Sequence, residues 1–550
     1  MASIELKERQ IAPGGVVDGE PTPFPLDPAP TTAEDTPPPA HQQPSGIRLI
    51  LLTIGIMTSI FLAALDSTIV TTAIPAITTE FGTISNIAWY GAGYGCTQTA
   101  FQSAWGKAYK YFPLKTGFLL AVAIFEAGNV ICAVASSSTV LVLGRVVAGL
   151  GGGGVMTGAF TMVALSVKEE YRAAYMGVSG VTFSTASVVG PLMGGALTDG
   201  IGWRWCFWVS LPVGALAAFI VSFAFRSPIP PETGTIKERL THLDLHGGVL
   251  IAGFLCCFVY AMHWGGTHPW SSASVIGTLF GFSALCIAFV VNEWWMGDKA
   301  MVQGRFLRNR VILSNLGFVF FLAGLFFPLL YTLPVQYQSV DGASASQSGI
   351  RLIPLVMGVS VFTLVANGIL TYWRHYRPFL VLGSVLGTAG AVCIYTMNAQ
   401  PSPATWIGFE LLTAVGVGLA LQVPMLSNQT CVGVGDIASI TAITLFVENC
   451  GTTLFVASNE AAFTKSLIES LAKNIPSLNP ETVLNAGATQ LRHVFAGLEL
   501  EGVLQSYLDG SKVSHILPVA CGIVACLISG SDASGEMIRW ASRRWRKAAE

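Results

Sequence analysis

Charge is what this sequence has least of. Asp, Glu, Lys and Arg together make up 11% of its 550 residues, less than half of the roughly 25% usual in a soluble chain. So few charged groups cannot cover a water-exposed surface of this size. The formal net charge of −2 shows no basic or acidic excess, which argues against a nucleic acid or an anionic polymer as partner. The eleven cysteines, among them Cys96, Cys132, Cys256, Cys257, Cys393 and Cys526, lie mainly inside apolar runs without paired metal-ligand spacing. They read as small packing residues, and neither a metal nor a cofactor is expected.

Catalytic signatures are missing too. An intramembrane acyl- or prenyltransferase needs a catalytic His or clustered Asp near one face, and no DDxxD-like cluster exists. The trio His242, Asp244 and His246 sits in a loop and reads as solvated. There is no GxxxxGK[ST] phosphate loop, and an enzyme is not expected. The start of the chain lacks the basic flank, short apolar stretch and small-residue cleavage site of a secretory signal, so the first apolar run is expected to act as an uncleaved anchor.

Apolar length is abundant. Hydrophobic residues reach 52%, and many runs attain the ~20 residues that cross a ~30 Å hydrocarbon layer. The reading is an all-α polytopic membrane protein with spans at 48–72, 87–107, 114–135, 139–164, 173–197, 204–225, 244–263, 272–294, 311–335, 348–371, 377–397, 404–425, 437–460 and 514–530. That is fourteen, grouped as six (48–225), two (244–294) and six (311–530), with a linker at 226–243 and a loop at 295–310. Residues 1–47, with PTPFPLDPAP and TPPPA, have no apolar period and are expected to form a disordered tail. The segment 463–512 reads as a long external loop with short interfacial helices, and 531–550 as a basic tail.

Lys and Arg fix the orientation, because cytoplasmic loops carry the excess of positive charge. Lys107, Lys110 and Lys115, then Arg305, Arg308 and Arg310, then Arg374 and Arg377, and finally Arg539, Arg543, Arg544, Arg546 and Lys547 all fall on one side. Both termini are therefore expected in the cytoplasm. In the tail, Trp540 and Trp545 interleave with basic residues, which suits the headgroup layer of an anionic leaflet. Asn428 lies in an NQT sequon on the cytoplasmic side and is expected to stay unglycosylated.

A charged side chain at bilayer depth costs at least about 2.5–3.5 kcal/mol and faces a protein interior or an aqueous cavity. Asp66 lies about 27 Å into the first span, and Arg145 about 9 Å into the fourth from the other side, so both belong to the outer third. They are placed to meet, either as an ion pair that fixes helix register or as a proton-coupling pair. Glu126, Glu448 and Glu410 fall inside spans three, thirteen and twelve. Burial favours the neutral form of a carboxyl group, so each is a candidate proton site, with hydrogen-bonded packing as the alternative. Gln422 and Asn449, which adjoins Glu448, are candidate cavity residues. Glu293 and Glu460 lie near span ends and read as solvated.

Glycine is the second anomaly. RVVAGLGGGGVMTGAF in the fourth span and ASVVGPLMGGAL in the fifth are contact faces on which helix backbones approach closely, and a proline within a span permits a bend. Tight static packing and the gliding of an alternating-access transporter both use such faces.

These residues resemble the major facilitator superfamily, and within it the fourteen-span drug:proton antiporters of filamentous fungi, over nearly all of 48–530. LDSTIVTTAIPAI at 65–77 resembles the first-span motif. Leu141, Arg145 and Gly149 fit the fourth-span pattern. Ala186 through Gly195, with Gly190, Pro191, Gly194 and Gly195, resembles the fifth-span antiporter motif, and GWRWCFWVSLPVGA at 202–215 is typical of the fourteen-span group. The resemblance implies two six-helix bundles around a central cavity with an inserted hairpin, rocking between two open states. It implies export of an amphiphilic small molecule, such as a toxin or other secondary metabolite, driven by proton entry across the plasma membrane. On that template Glu448 and Glu410 rank above Glu126, Arg145 is tied to proton coupling, and the protein acts as a monomer with substrate, protons and the bilayer as its partners. Proton-coupled uptake, for instance of an iron chelate, is the alternative within transport.

Two departures stand out. The loop after span two reads GKAYKYFPLK, whereas the superfamily's GxxxDxxGRK places an acid at Lys110, Gly at Pro113 and Arg at Leu114. Gly106, Lys107, Lys110 and Lys115 remain as the gating loop, but its usual charge relay cannot form unchanged. Ala186 replaces the Gly that begins the fifth-span motif, one small residue for another.

Overall fold

A computed structural model describes residues 44–82, 87–227, 235–399 and 401–530. Residues 1–43, most of the expected tail, and 531–550 lie outside the described residues. Among the described residues all regular structure is helical. The long helices are α1 (Ile47–Phe81), α2 (Ile87–Tyr111), α3 (Leu114–Ala133), α4 (Ser138–Ser166), α5 (Glu169–Gly200), α6 (Trp205–Ala224), α7 (Leu245–Thr267), α8 (Ala273–Met296), α9 (Arg310–Ser339), α10 (Ile353–Trp373), α11 (Arg377–Tyr395), α12 (Pro403–Thr430, interrupted at Leu421 and Gln422), α13 (Ile437–Asn474) and α14 (Gly497–Gly530).

Thirteen of these are long and apolar enough to cross a membrane. The exception is α2, although its 25 residues make a helix about 37 Å long. Its Thr99, Gln102, Ser103 and Lys107 are all buried, because α2 packs on α4, α7 and α13. A helix whose neighbours are protein can carry polar groups that lipid would reject, which is why its hydropathy falls short.

Helices α1–α6 form one bundle, built on α1 against α5 and on α4 between α2 and α3. Helices α9–α14 form the second, built on α9 against α13 and α14 and on α12 against α10 and α11. The glycine run of α4 makes the first bundle possible. A Cβ on Gly149 would sit 2.3 Å from the Tyr94 carbonyl of α2, and one on Gly151 would sit 2.3 Å from the Phe125 nitrogen of α3. Backbones in such contact leave no room for any larger residue. At the far end of α1, Glu80 accepts from Trp203 Nε1 (2.7 Å) and from both Arg204 Nη groups (2.9 and 2.8 Å), pinning α1 to the start of α6.

The hairpin α7–α8 lies outside both bundles. Helix α7 packs on α2 and α13, whereas α8 packs mainly on α7 and presents Phe280, Trp294 and Trp295 outward. Asp244 is not solvated as expected but 2% exposed. It caps α7 through Gly247 N–H (3.0 Å) and accepts from Asn292 Nδ2 (3.1 Å) and Met301 N–H (3.2 Å). Glu293 likewise accepts from Val302 N–H at 2.7 Å. A buried carboxylate persists only when such donors replace water, and here the donors close the exit of the hairpin.

Residues 463–512, expected as a long external loop with short interfacial helices, are mostly helical. Helix α13 runs on to Asn474, a separate helix covers Pro480–Val494, and α14 begins at Gly497. The apolar faces of these segments bury Leu467, Leu471, Val483, Leu491, Val503 and Tyr507 against Val340 of the α9 end. The short amphipathic stretches seen in the sequence therefore pack on one another.

Candidate functional site

Asp66 and Arg145 meet inside the first bundle. Arg145 Nη1 donates to Asp66 Oδ2 at 2.7 Å, Nε to the Tyr90 carbonyl at 3.0 Å and Nη2 to the Asp66 carbonyl at 3.4 Å. The guanidinium also lies 4.5 Å from the centre of the Tyr94 ring. Both side chains are essentially without solvent, so desolvation is repaid only because the arginine is bonded to two helices besides its own. Asp66 Oδ1 has no hydrogen-bond partner among the described residues, which leaves one carboxylate oxygen in reserve.

One turn further along α1, the fifth-helix motif makes contact. A Cβ on Gly190 would sit 2.1 Å from Thr68 Oγ1, and one on Gly194 would sit 2.4 Å from the Ile69 carbonyl, whereas Gly195 faces open space. Pro191 lies between them inside α5. The α1 turn that follows Asp66 thus rides directly on the α5 backbone.

The three glutamates are in different surroundings. Glu126 accepts from Ser210 Oγ at 3.1 Å and faces Gly214 of α6. Glu410 is 1% exposed and accepts from Tyr337 OH at 2.6 Å. That tyrosine ring lies 5.3 Å from the Arg351 guanidinium, which pairs with Asp341 at 2.6 Å. Glu410 therefore belongs to the packed interior of the second bundle. Glu448 is half-buried on α13, and its neighbour Asn449 donates to Gln102 Oε1 of α2 at 2.6 Å. Gln422 is half-buried at the interruption of α12. The sequence reading missed Gln102, since a lone glutamine 347 positions from its partner gives no local signal.

The segment expected as a gating loop is instead the end of α2 and the first turn of α3, and its lysines divide among three tasks. Lys107 is 1% exposed and donates to the Asp298 carbonyl at 3.2 Å, tying α2 to the hairpin exit. Lys115 donates to the Ser222 carbonyl of α6. Lys110 crosses to the second bundle and donates to Asp436 Oδ1 at 3.1 Å, while Arg305 reaches the same oxygen at 2.6 Å. Beside this triad Gly106 lies so close to α13 that a Cβ there would be 2.3 Å from that of Ala442.

These contacts define which end is closed. On the side of Lys110, one apolar cluster joins Leu52, Trp105 and Phe160 of the first bundle to Met425, Ala438 and Leu445 of the second. Towards the other side, the cluster around Ile69 and Phe207 holds only first-bundle residues, and that around Leu329 and Val359 only second-bundle residues. The sequon residue Asn428 is fully buried near the closed end, bonded to Asn315 Nδ2 (2.9 Å) and Thr444 Oγ1 (3.0 Å).

Residues 56–456 match the Major Facilitator Superfamily. The chain belongs to this family. It is 37% identical over 494 residues to an MFS-type transporter, grgE, of a Penicillium species, covering 89% of this chain and 87% of the relative. It is 37% identical to the probable efflux pump gsfJ of Penicillium aethiopicum, over 89% and 88% of the two chains. The aspyridones efflux protein of Neocamarosporium betae is 36% identical over 92% of this chain and 90% of its own length. Among solved structures, a bacterial homolog of the human lysosomal transporter Spinster, inward-facing and unoccupied, superposes with a TM-score of 0.56 at 17% identity, over 90% of this chain and 99% of that one. The human organic anion transporter MFSD10 gives 0.56 at 12% identity, over 87% and 100%. The family and its fold make this chain a multi-pass membrane transporter of a small molecule rather than an enzyme.

Proposed function

We propose that this protein exports an amphiphilic small molecule, of the toxin or secondary-metabolite kind, across the plasma membrane in exchange for protons. All fourteen long helices span the bilayer in this reading, and both termini are cytoplasmic. The protein works as a monomer.

The observation that carries the reading is the buried Asp66–Arg145 pair one turn from the Gly190–Pro191–Gly194 contact. A carboxylate with one unbonded oxygen, in the half where the bundles have separate cores, can exchange a proton once the first-bundle helices around it part, because in the present conformation it has almost no solvent. Its partner α5 packs on α10 of the second bundle, so a change at Asp66 reaches the interface between bundles. Glu448 is the second proton candidate, because it lies beside the Gln102–Asn449 contact between bundles. With the basic side cytoplasmic, the closed end faces inward and the conformation is outward-facing. The efflux names of relatives sharing over a third of their residues support the direction.

Inverted plasma-membrane vesicles test this. An acid interior should drive uptake of the cargo, and a protonophore should abolish it. Proton-driven accumulation inside intact cells would overturn the export claim.

A further inference from the structure

We propose that the groove between α2, α3 and the linker segment 235–245 is a site for an anionic membrane lipid, one acyl chain lying in the groove and the headgroup phosphate meeting Arg239. This goes beyond the transport reading and does not depend on the cargo or on proton coupling.

The cavity has a volume of about 350 Å³ and is walled by Trp105, Ala108, Phe112, Leu120, Leu150 and Leu243, with Leu240 and Leu245 at its edge. Thr116 is the polar residue of its lining. The Trp105 indole N–H is already bonded to the Leu150 carbonyl at 2.8 Å, so the ring offers the groove only an apolar face. That volume is at the low end of the ~300–1,000 Å³ of small-molecule pockets, but such pockets place convergent polar groups deep inside, and this one does not. A hydrocarbon chain needs none. Leu120, Leu240 and Leu245 are each at least half exposed, which opens the groove sideways to the hydrocarbon layer.

The linker lies over the groove with its own chemistry. Its short helix Ile236–Thr241 is started by a Thr235–Glu238 capping box, which occupies the acidic group of that turn. The ring of His242 stacks on Tyr111 at 4.6 Å, and the Arg239 guanidinium stands 5.9 Å from the Phe112 ring. Arg239 Nε is withdrawn from water and has no hydrogen-bond partner among the described residues. A guanidinium at the rim of an apolar groove, on the side of the molecule where Lys and Arg concentrate, matches a phosphate joined to an acyl chain. A zwitterionic lipid would bring its own cation against Arg239, so the charge selects for a net negative headgroup.

The test is photocrosslinking of the full-length protein in nanodiscs with a photoactivatable phosphatidylglycerol, alongside a phosphatidylcholine probe of the same chain. Labelling should map to residues 101–120 and 240–245 and favour the anionic probe. Arg239→Gln should reduce it about five-fold, the attraction of one basic residue for an anionic leaflet. Thr116→Trp, at the open edge of the groove, should remove it while labelling elsewhere persists. Should that variant fail to fold, Leu120→Trp serves the same purpose. Equal labelling by both probes, labelling unchanged by Thr116→Trp or Leu120→Trp, or labels confined to other helices would overturn the proposal. Displacement of the probe by amphiphilic drugs but not by excess phosphatidylglycerol would also do so, making the groove a cargo entrance.

Discussion

Lys110 and Asp436 stand 3.1 Å apart across the two bundles, with the sign opposite to that expected from the family's loop pattern. The end of α2 contributes the cation and the second bundle the acid, and Arg305 from the hairpin exit shares that acid at 2.6 Å. The side chains of Lys110 and Asp436 keep 13% and 20% exposure, so the pair is partly screened and its value is of the order of 1 kcal/mol. A double-mutant cycle of Lys110→Ala and Asp436→Ala should give a coupling of roughly 0.5–1 kcal/mol. The reading is the equilibrium between open states, followed by spin-label distances between the basic-side ends of α2 and α13. Strict additivity of the two substitutions would show that the pair does no work in closing that end.

Removing the arginine from the buried pair should be costly. Arg145→Ala strands Asp66 without a counter-charge and should lose roughly 3–5 kcal/mol of stability, seen as a lower melting temperature in detergent. Asp66→Asn keeps the shape, and the amide can still accept from Arg145. It leaves the buried guanidinium without its counter-charge, so it should lose stability as well, and the protein that still inserts should lose proton-driven transport in inverted vesicles. Full coupled transport by Asp66→Asn would reduce the pair to a device for helix register.

Glu448 has a different expectation, because its carboxylate has no protein donor among the described residues. Glu448→Gln should insert and melt like the parent but lose the dependence of transport on the proton gradient. A parental response to the gradient would transfer the role to Asp66 or Glu126.

Neighbouring glycines of α5 should respond unequally. Gly190→Ala drives a methyl group into Thr68 and should cost about 1–3 kcal/mol, together with most of the transport. Gly195→Ala meets nothing within 4 Å and should be silent in both assays. Combining Gly190→Ala with Thr68→Ala should recover part of the loss, and equal damage from Gly190→Ala and Gly195→Ala would contradict the packing argument.

For Glu410 the relevant partner is Tyr337. Tyr337→Phe leaves a buried carboxyl oxygen without its donor and should destabilise the second bundle by roughly 1–3 kcal/mol, measured as a fall in melting temperature with the first-bundle pair intact. A neutral outcome would place water or a rotated Glu410 in that space.

Much of this was legible in the residues. Long apolar runs announced the helices, and Asp66 and Arg145 stood out because charge at that depth demands a partner. Helix α2 was read as a span at 87–107 although Thr99, Gln102 and Lys107 dilute its hydropathy, and protein neighbours on several sides explain why they are tolerated. Between the apolar parts of α13 and α14, residues 463–512 read as a loop with short interfacial helices, because the partners of their apolar faces are one another and Val340. Asp244 read as solvated because its donors, Asn292 and the Met301 amide, come from 48 and 57 positions away. The same holds for Lys110 and Asp436, separated by 326 positions. Contacts of that range leave no trace in a window of neighbouring residues.

Helix α13 is 38 residues long, about 57 Å at 1.5 Å per residue, nearly twice the thickness of the hydrocarbon layer. Asp436 sits at its first end, and the helix Pro480–Val494 and the beginning of α14 pack at its other. It is one uninterrupted shaft, so a rotation of 10° about the first end would sweep the far tip by about 10 Å. An antibody fragment gripping the far cluster would therefore act as a brake on the opposite face of the membrane, without touching the cargo path.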